Sequence, residues 1–486
     1  MNLSLLSLEI LVVLLGLCLM VLDWFTPAEH KRRLGLVGAA ALLGIFILSF
    51  VLDASSTQHA FGHSYVMDNL ALFFKRFFLL AGAVVLLWAI EFTERLRGGA
   101  VEFFALIIFA LAGMMFTASA NNLAMLFVSI ELVTITFYIL AGFQRQAQQS
   151  LESGVKYLIM GGLASAFMVF GIALVFGMTG TMEYEILAIK MLNKNGPATQ
   201  PLFQLGMLLI LAGLGFKIAA VPFHIWVPDV YQGAPTPVTA FLAAGSKAAG
   251  IVLLLRLFLN VTPISILKWE TLVIVLAGIT ILYGNLCAIP QRNLKRMLGY
   301  SSIAHAGYLL MGVATLSVAG VTATLYYLSG YLFTVLAAFG VISLVMRETG
   351  AEDIALLGGL GRRSPFLAAI LTLAMVSLAG VPPLAGFFGK FLLIKAVLQQ
   401  GANAGAYYVL AGVAIIGVII SLWYYFGVIK AMYWGDDAPD MGPVEVSVFT
   451  KWGLVVCAAG MLILGLMPEV PLALAEQGAL VLRLLY

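Results

Sequence analysis

The 486-residue chain is 62% hydrophobic and only 10% charged, with a formal net charge of +3. A water-facing surface is built from about 25% charged residues, so a soluble globular domain is excluded. The small, scattered positive charge offers no basic patch for nucleic acid.

A membrane span takes about 20 apolar residues to cross roughly 30 Å of hydrocarbon. In chain order, about fourteen runs meet that length: 3–25, 34–53, 69–90, 100–118, 122–142, 154–178, 202–221, 238–260, 269–289, 297–315, 318–346, 366–388, 405–431 and 451–476. The linkers between them leave no room for a soluble domain. The chain starts Met1-Asn2-Leu3 without a positive stretch, and Glu9 lies inside the first run. That run therefore reads as a retained helix and not as a signal peptide. Lys and Arg concentrate in the odd-numbered loops, from Lys31, Arg32 and Arg33 to Lys430 and Lys451. The even-numbered loops hold Lys190, Lys194, Lys268 and, at their margins, Lys395, Lys75 and Arg76. The asymmetry predicts odd loops in the cytoplasm and both termini outside.

Two runs are interrupted. In the seventh, Gly213 and Gly215 precede Lys217, and Pro222 follows. In the twelfth, Gly380, Pro382 and Pro383 precede Gly386, Gly389 and Lys390. Proline lacks an N–H, so Pro222 frees the carbonyl of Ile218, and Pro382 and Pro383 free those of Leu378 and Ala379. Broken backbone at membrane depth is tolerated where protein or a hydrated cavity surrounds it. One such break alone is an ordinary proline kink. Two, about five spans apart and each beside a lysine, predict a transporter repeat.

The chemistry lies in charged residues at mid-span. Glu131 is near the centre of the fifth run, and Lys247 is deep in the eighth. Lys217 stands beside the first break, and Lys390 falls in the second half of the broken twelfth span. Each lysine at the bilayer centre costs about 2.5–3.5 kcal/mol, so the four groups unpaired would cost on the order of 10 kcal/mol. They must be paired or hydrated. Lysine suits a proton relay because burial favours its neutral form. Two lysines about 7 Å apart repel by roughly 2.4 kcal/mol at an effective dielectric near 20, so loading one unloads its neighbour. Glu131 near Lys217 would do the reverse. His305 in the tenth run and His224 after Pro222 are further relay candidates, although a lone buried histidine is more often structural. Tyr300, Ser301, Ser302, Ser329, Tyr331 and Thr334 add polar groups to the tenth and eleventh runs. Arg256 reads as snorkelling to the interface. Glu152 and Lys156 read as a local i,i+4 pair or a cytoplasmic proton entrance. Glu9 and Asp23 have no assigned role.

Cys18, Cys287 and Cys457 lie singly in apolar runs, with no CxxC pair for zinc or an iron–sulfur cluster. No P-loop or dinucleotide-binding glycine motif is present. Neither a metal nor an electron carrier is expected in this chain.

The stretch from Lys217-Ile218-Ala219-Ala220-Val221-Pro222-Phe223-His224 through Trp226-Val227-Pro228-Asp229-Val230-Tyr231-Gln232-Gly233-Ala234-Pro235 to Val238 resembles the signature of the antiporter-like membrane subunits of respiratory complex I, NADH–quinone oxidoreductase. Lys295–Tyr308 and Leu378–Phe391 are similar to that family as well. The resemblance implies an all-α polytopic membrane protein with fourteen helices and two inverted five-helix repeats, each containing one broken helix. It divides the chain into helices 1–3 (1–99), a first repeat (100–260), a second repeat (261–431) and a final helix (432–486). It places Glu131, Lys217, Lys247 and Lys390 at the family's proton-channel positions. It also implies that FMN, iron–sulfur clusters and quinone belong to partner subunits. The expected partners are other membrane subunits, antiporter-like neighbours above all, and the bilayer of the bacterial inner membrane. The alternatives are a subunit of a multisubunit cation/proton antiporter and a structural membrane spacer that pumps nothing.

Overall fold

The computed structural model describes residues 3–52, 56–96, 98–192, 196–197, 200–261, 269–350, 352–401, 405–435 and 443–481. Lys194 and Lys268, part of the charge asymmetry above, lie outside these. Among the described residues the fold is helical apart from one hairpin, Gln58–Ala60 (β1) with Tyr65–Met67 (β2), antiparallel with His59 opposite Val66.

Ser7–Phe25 (α1), Arg33–Leu48 (α2) and Asn69–Phe92 (α3) pack on Ala100–Ala118 (α4). Leu123–Ala141 (α5), Gln148–Thr179 (α6), the short Tyr184–Met191 (α7) and Pro201–Ile218 (α8) follow. Beyond a break come Trp226–Gly233 (α9), Thr236–Phe241 (α10) and Lys247–Val261 (α11). The second half holds Trp269–Ala288 (α12), Leu294–Ala314 (α13), Val318–Thr349 (α14), Leu360–Arg363 (α15) and Pro365–Ala379 (α16). Ala385–Gln400 (α17), Ala406–Trp434 (α18), Val448–Leu466 (α19) and Glu469–Ala479 (α20) complete it. The two halves meet where α9 lies on α13 and α10 on α14.

Polar side chains cap the start of several of these helices. Asp68 accepts from the Ala71 N–H at 2.7 Å, Asn122 from Met125 at 2.6 Å and Asn293 from Arg296 at 2.9 Å. Each satisfies a backbone donor that the first helical turn leaves open.

Among the described residues, eleven helices are long and apolar enough to cross a membrane. Three predicted runs fall outside that set for identifiable reasons. α2 ends at Leu48 and is short, the twelfth run is split between α16 and α17, and α13 is made less apolar by Tyr300, Ser301, Ser302, His305 and Tyr308. The run expected at 451–476 is two helices, because Pro468 follows α19 and cannot continue its ladder. The Thr236–Phe258 stretch is wholly enclosed by protein, whereas α1 and α6 leave broad apolar faces outside. Charged groups on the former therefore face other helices and not lipid.

Both expected breaks are present. α8 stops at Ala219, which holds the left-handed conformation at φ +66°, at a cost of about 1 kcal/mol for a non-glycine residue. α16 stops at Gly380, φ +85°, where a Cβ would come within 2.9 Å of Lys390 Cδ. Glycine alone fits there. The Val221-Pro222 and Pro382-Pro383 peptides are both cis.

Candidate functional site: a line of buried amines and hydroxyls

The first charged group of the line sits where α5, α6 and α8 meet. Glu131 and Thr134 are three residues apart on α5 and so share a face. Lys217, on the last turn of α8 before the break, places its Nζ 3.4 Å from Glu131 Oε1 and donates to Thr134 Oγ1 at 2.7 Å. Ser165 of α6 donates to the same Glu131 oxygen at 2.6 Å. The lysine side chain is 1% exposed and the glutamate 17%, so the pair runs from the interior toward the rim of the bundle. The partner that the cost of a buried lysine demanded is in place.

Lys247 opens α11 directly after a π-helical turn, Leu242–Ser246. Such turns are uncommon and gather at functional sites. Its Nζ donates to both the carbonyl and the hydroxyl of Ser302 on α13. That hydroxyl is shared with Tyr231 of α9 at 3.0 Å and accepts from Tyr331 of α14 at 3.1 Å. One turn on, His305 bonds the Tyr327 hydroxyl through Nδ1 and, through Nε2, the Tyr425 hydroxyl at 3.1 Å. Tyr425 also bonds Ser301. The His305 ring lies 4.9 Å from the Tyr331 ring, centroid to centroid, and 6.2 Å from that of Tyr308.

Lys390 on α17 turns back across the second break. It donates to the carbonyls of Leu378 at 2.8 Å and Ala379 at 3.2 Å, the two that Pro382 and Pro383 leave without helical partners. Its Nζ sits 5.0 Å from the Tyr308 ring centroid, which adds a cation–π attraction. Among the described residues neither Lys247 nor Lys390 has a carboxylate within ion-pair distance; hydroxyls, carbonyls and aromatic faces hold them instead. Beside Lys217, the Trp226 ring stacks on Tyr157 at 4.6 Å and packs against Phe216 at 5.3 Å, and Trp226 Nε1 donates to the Phe216 carbonyl at 3.0 Å.

The polar contacts thus fall into neighbouring groups: Glu131 with Lys217, Lys247 with Ser302, Tyr231 and Tyr331, and His305 with Tyr327 and Tyr425, while Lys390 adjoins His305 through the Tyr308 ring. His224 lies at the first break, buried, with its ring against Tyr283 at 4.3 Å, and no hydrogen bond joins it to these groups. Thr134, Ser165, Tyr327 and Tyr425 complete the line without having been singled out in the sequence. Only Thr134 carried a signal there, its helical spacing from Glu131.

Arg256 corrects the snorkelling expectation. It is 1% exposed and grips both oxygens of Asp68, at 2.8 and 3.0 Å, while its Nε donates to the Ala118 carbonyl at 2.7 Å. The partner lies 188 residues away in sequence, which kept it out of reach of any local pattern. Glu9 pairs with Lys75 at 2.8 Å, both fully buried, and Tyr65 donates to the same carboxylate oxygen at 2.9 Å. Asp23 pairs with Lys31 at 2.8 Å. Glu152 and Lys156 form the expected i,i+4 pair at 2.7 Å, and Lys156 also reaches Asp229 at 2.7 Å.

The family model described as NADH:quinone oxidoreductase/Mrp antiporter, transmembrane, matches residues 120–417, a range that holds every residue of this line except Tyr425. The subunit N of NADH-quinone oxidoreductase from Heliobacterium modesticaldum is 42% identical over 476 residues, 97% of this chain and 98% of that protein. A chain of respiratory complex I from Thermus thermophilus superposes with a TM-score of 0.79 at 32% identity, covering 96% of this chain and 99% of that one. A chain of the Mrp complex from Dietzia, at 22% identity and a TM-score of 0.83, shares the fold. The chain belongs to the NADH:quinone oxidoreductase/Mrp antiporter membrane family and, within it, to the NADH-quinone oxidoreductase subunit N proteins.

Proposed function

We propose that this chain is a proton-translocating membrane subunit of a bacterial NADH–quinone oxidoreductase, with its proton route along the line from Glu131 to Lys390. NADH oxidation and quinone reduction take place in partner subunits, which carry the FMN and iron–sulfur clusters. The observation that carries the reading is that buried amines in both halves are held by polar partners and not left bare. Lys217 has Glu131 and Thr134, Lys247 has Ser302, and Lys390 has two carbonyls released by prolines.

In this reading Glu131 holds a proton on Lys217, and separating the pair releases it. The hydroxyls of Tyr231, Ser302, Tyr331, Tyr327 and Tyr425 donate and accept in turn, and His305 links them toward Lys390. The packed rings of Tyr157, Phe216 and Trp226 beside Lys217 are the gate that hydration must open. Fourteen spans and two inverted repeats complete the architecture. α2, α13 and the α16/α17 pair serve as spans beside the eleven, each half contains one break, and the repeats divide near residue 261. Both termini face outward, on the charge asymmetry of the loops.

Lys217→Ala in the assembled enzyme is expected to cut both quinone-linked NADH oxidation and proton pumping. Normal coupling in that variant overturns the relay. Copurification in mild detergent with peripheral subunits bearing flavin and iron–sulfur clusters is the matching test of assembly. Sodium efflux independent of quinone would point instead to an antiporter.

A further inference from the structure

We propose that Asp229 is a positioning residue for the relay: its ion pairs with Lys156 and Arg296 hold α9 where Tyr231 reaches Ser302, the group that Lys247 bonds. The inference rests on the function proposed above and concerns what couples its two halves.

α9 has eight residues and a break before it. A helix so short is not stable by itself and takes its position from what pins it. Four pins stand on its own side chains, the weakest at Gln232, whose Oε1 accepts from Arg296 Nη1 at 3.3 Å. Trp226 donates to the Phe216 carbonyl, one residue before Lys217, at 3.0 Å. Tyr231 shares a 3.0 Å hydrogen bond with Ser302. Between them Asp229 receives Arg296 Nη1 of α13 at 2.6 Å on one oxygen and Lys156 Nζ of α6 at 2.7 Å on the other. Just past its end, Lys295 donates to the Ala234 carbonyl at 2.8 Å.

The outer pin is electrostatic and half-exposed, and the two inner pins touch the lysine sites. A surface ion pair contributes about 0–1 kcal/mol, so the two at Asp229 add little to global stability, yet together they can shift the position of a weakly held α9 by about tenfold. Its geometry is another matter. One carboxylate ties α6 and α13 to α9, and α13 is the helix that also carries Ser302 and His305. Lys156 has a second partner in Glu152 at 2.7 Å, so it can leave Asp229 without becoming unpaired. Release of that arm frees α9 to turn and withdraws the Tyr231 hydroxyl from Ser302. A charge change at the exposed rim thereby reaches the buried contact of Lys247.

The test compares Asp229→Asn, Tyr231→Phe and the double variant in the assembled enzyme, reading quinone-linked NADH oxidation and vesicle acidification. Each single variant is expected to lower proton-coupled turnover at least tenfold with the amount of assembled complex unchanged. The double is expected to fall no more than about threefold below the weaker single, because both act on one contact. Asp229→Glu should restore most of the rate, since it can still reach Lys156 and Arg296. Losses that multiply in the double variant, or no rescue by glutamate, overturn the proposal. If Asp229→Asn does not assemble, Tyr231→Phe, which removes one oxygen, carries the test: unchanged pumping overturns it. Lys217→Ala serves as the reference. Loss of pumping there with normal Tyr231→Phe and Asp229→Asn enzymes refutes this inference alone, whereas normal pumping in Lys217→Ala refutes the relay beneath it.

Discussion

Glu131→Gln isolates the charge of the first pair from its shape. Glutamine keeps the side-chain length and an oxygen to accept from Ser165, so packing between α5 and α6 is preserved. What is lost is attraction across the 3.4 Å between Glu131 Oε1 and Lys217 Nζ. That attraction is about 5 kcal/mol at an effective dielectric near 20, and about 1 kcal/mol if water screens it fully. The 17% exposure of Glu131 against 1% for Lys217 places the true value between these limits. Since 1.4 kcal/mol is a factor of about ten in proton occupancy, Lys217 should be loaded at least about tenfold less readily. Inverted membrane vesicles give the assay, with quinone-linked NADH oxidation followed beside dye-monitored acidification and the amount of assembled complex checked on native gels. Both rates should fall about tenfold or more. Wild-type acidification in a fully assembled Glu131→Gln enzyme would refute the electrostatic reasoning. The companion variant, Glu131→Gln with Lys217→Met, removes the pair without leaving a charge. Normal pumping there would return the pair to a purely structural role.

Lys390→Met strips two buried carbonyls, Leu378 and Ala379, of their donor at about 1–3 kcal/mol each. Pumping should stop, and the thermal midpoint of the solubilised subunit should drop in the same variant. Gly380→Ala leaves every charge in place but sets a Cβ against Lys390 Cδ in a left-handed backbone. It should cost about 1–2 kcal/mol and slow pumping, read by the same acidification assay. Arg256→Ala leaves Asp68 buried and unpaired, so about 3–5 kcal/mol of stability should be lost in thermal unfolding. Arg256→Met with Asp68→Asn should recover much of that loss, and a double variant as unstable as the single would count against the pairing.

The sequence by itself determined most of the spans, because a membrane helix closes its backbone hydrogen bonds locally and is read from twenty neighbouring side chains. It located both breaks for the same reason: Pro222, Pro382 and Pro383 act on carbonyls four residues or so upstream, and Leu378 and Ala379 indeed stand outside the helical ladder. It also marked Glu131, Lys217, Lys247 and Lys390, since charge at the midplane is costly wherever it occurs. Only the tertiary structure decided which groups meet those charges. Lys217 finds Glu131 across 86 residues and Arg256 finds Asp68 across 188, through the rotation and approach of packed helices, which no local spacing encodes. The π-helical turn before Lys247 and the Tyr231, Tyr327 and Tyr425 hydroxyls around Ser302 and His305 belong to the same class. Helical periodicity sets the face of its own helix on which a residue lies; packing between helices sets what that face touches.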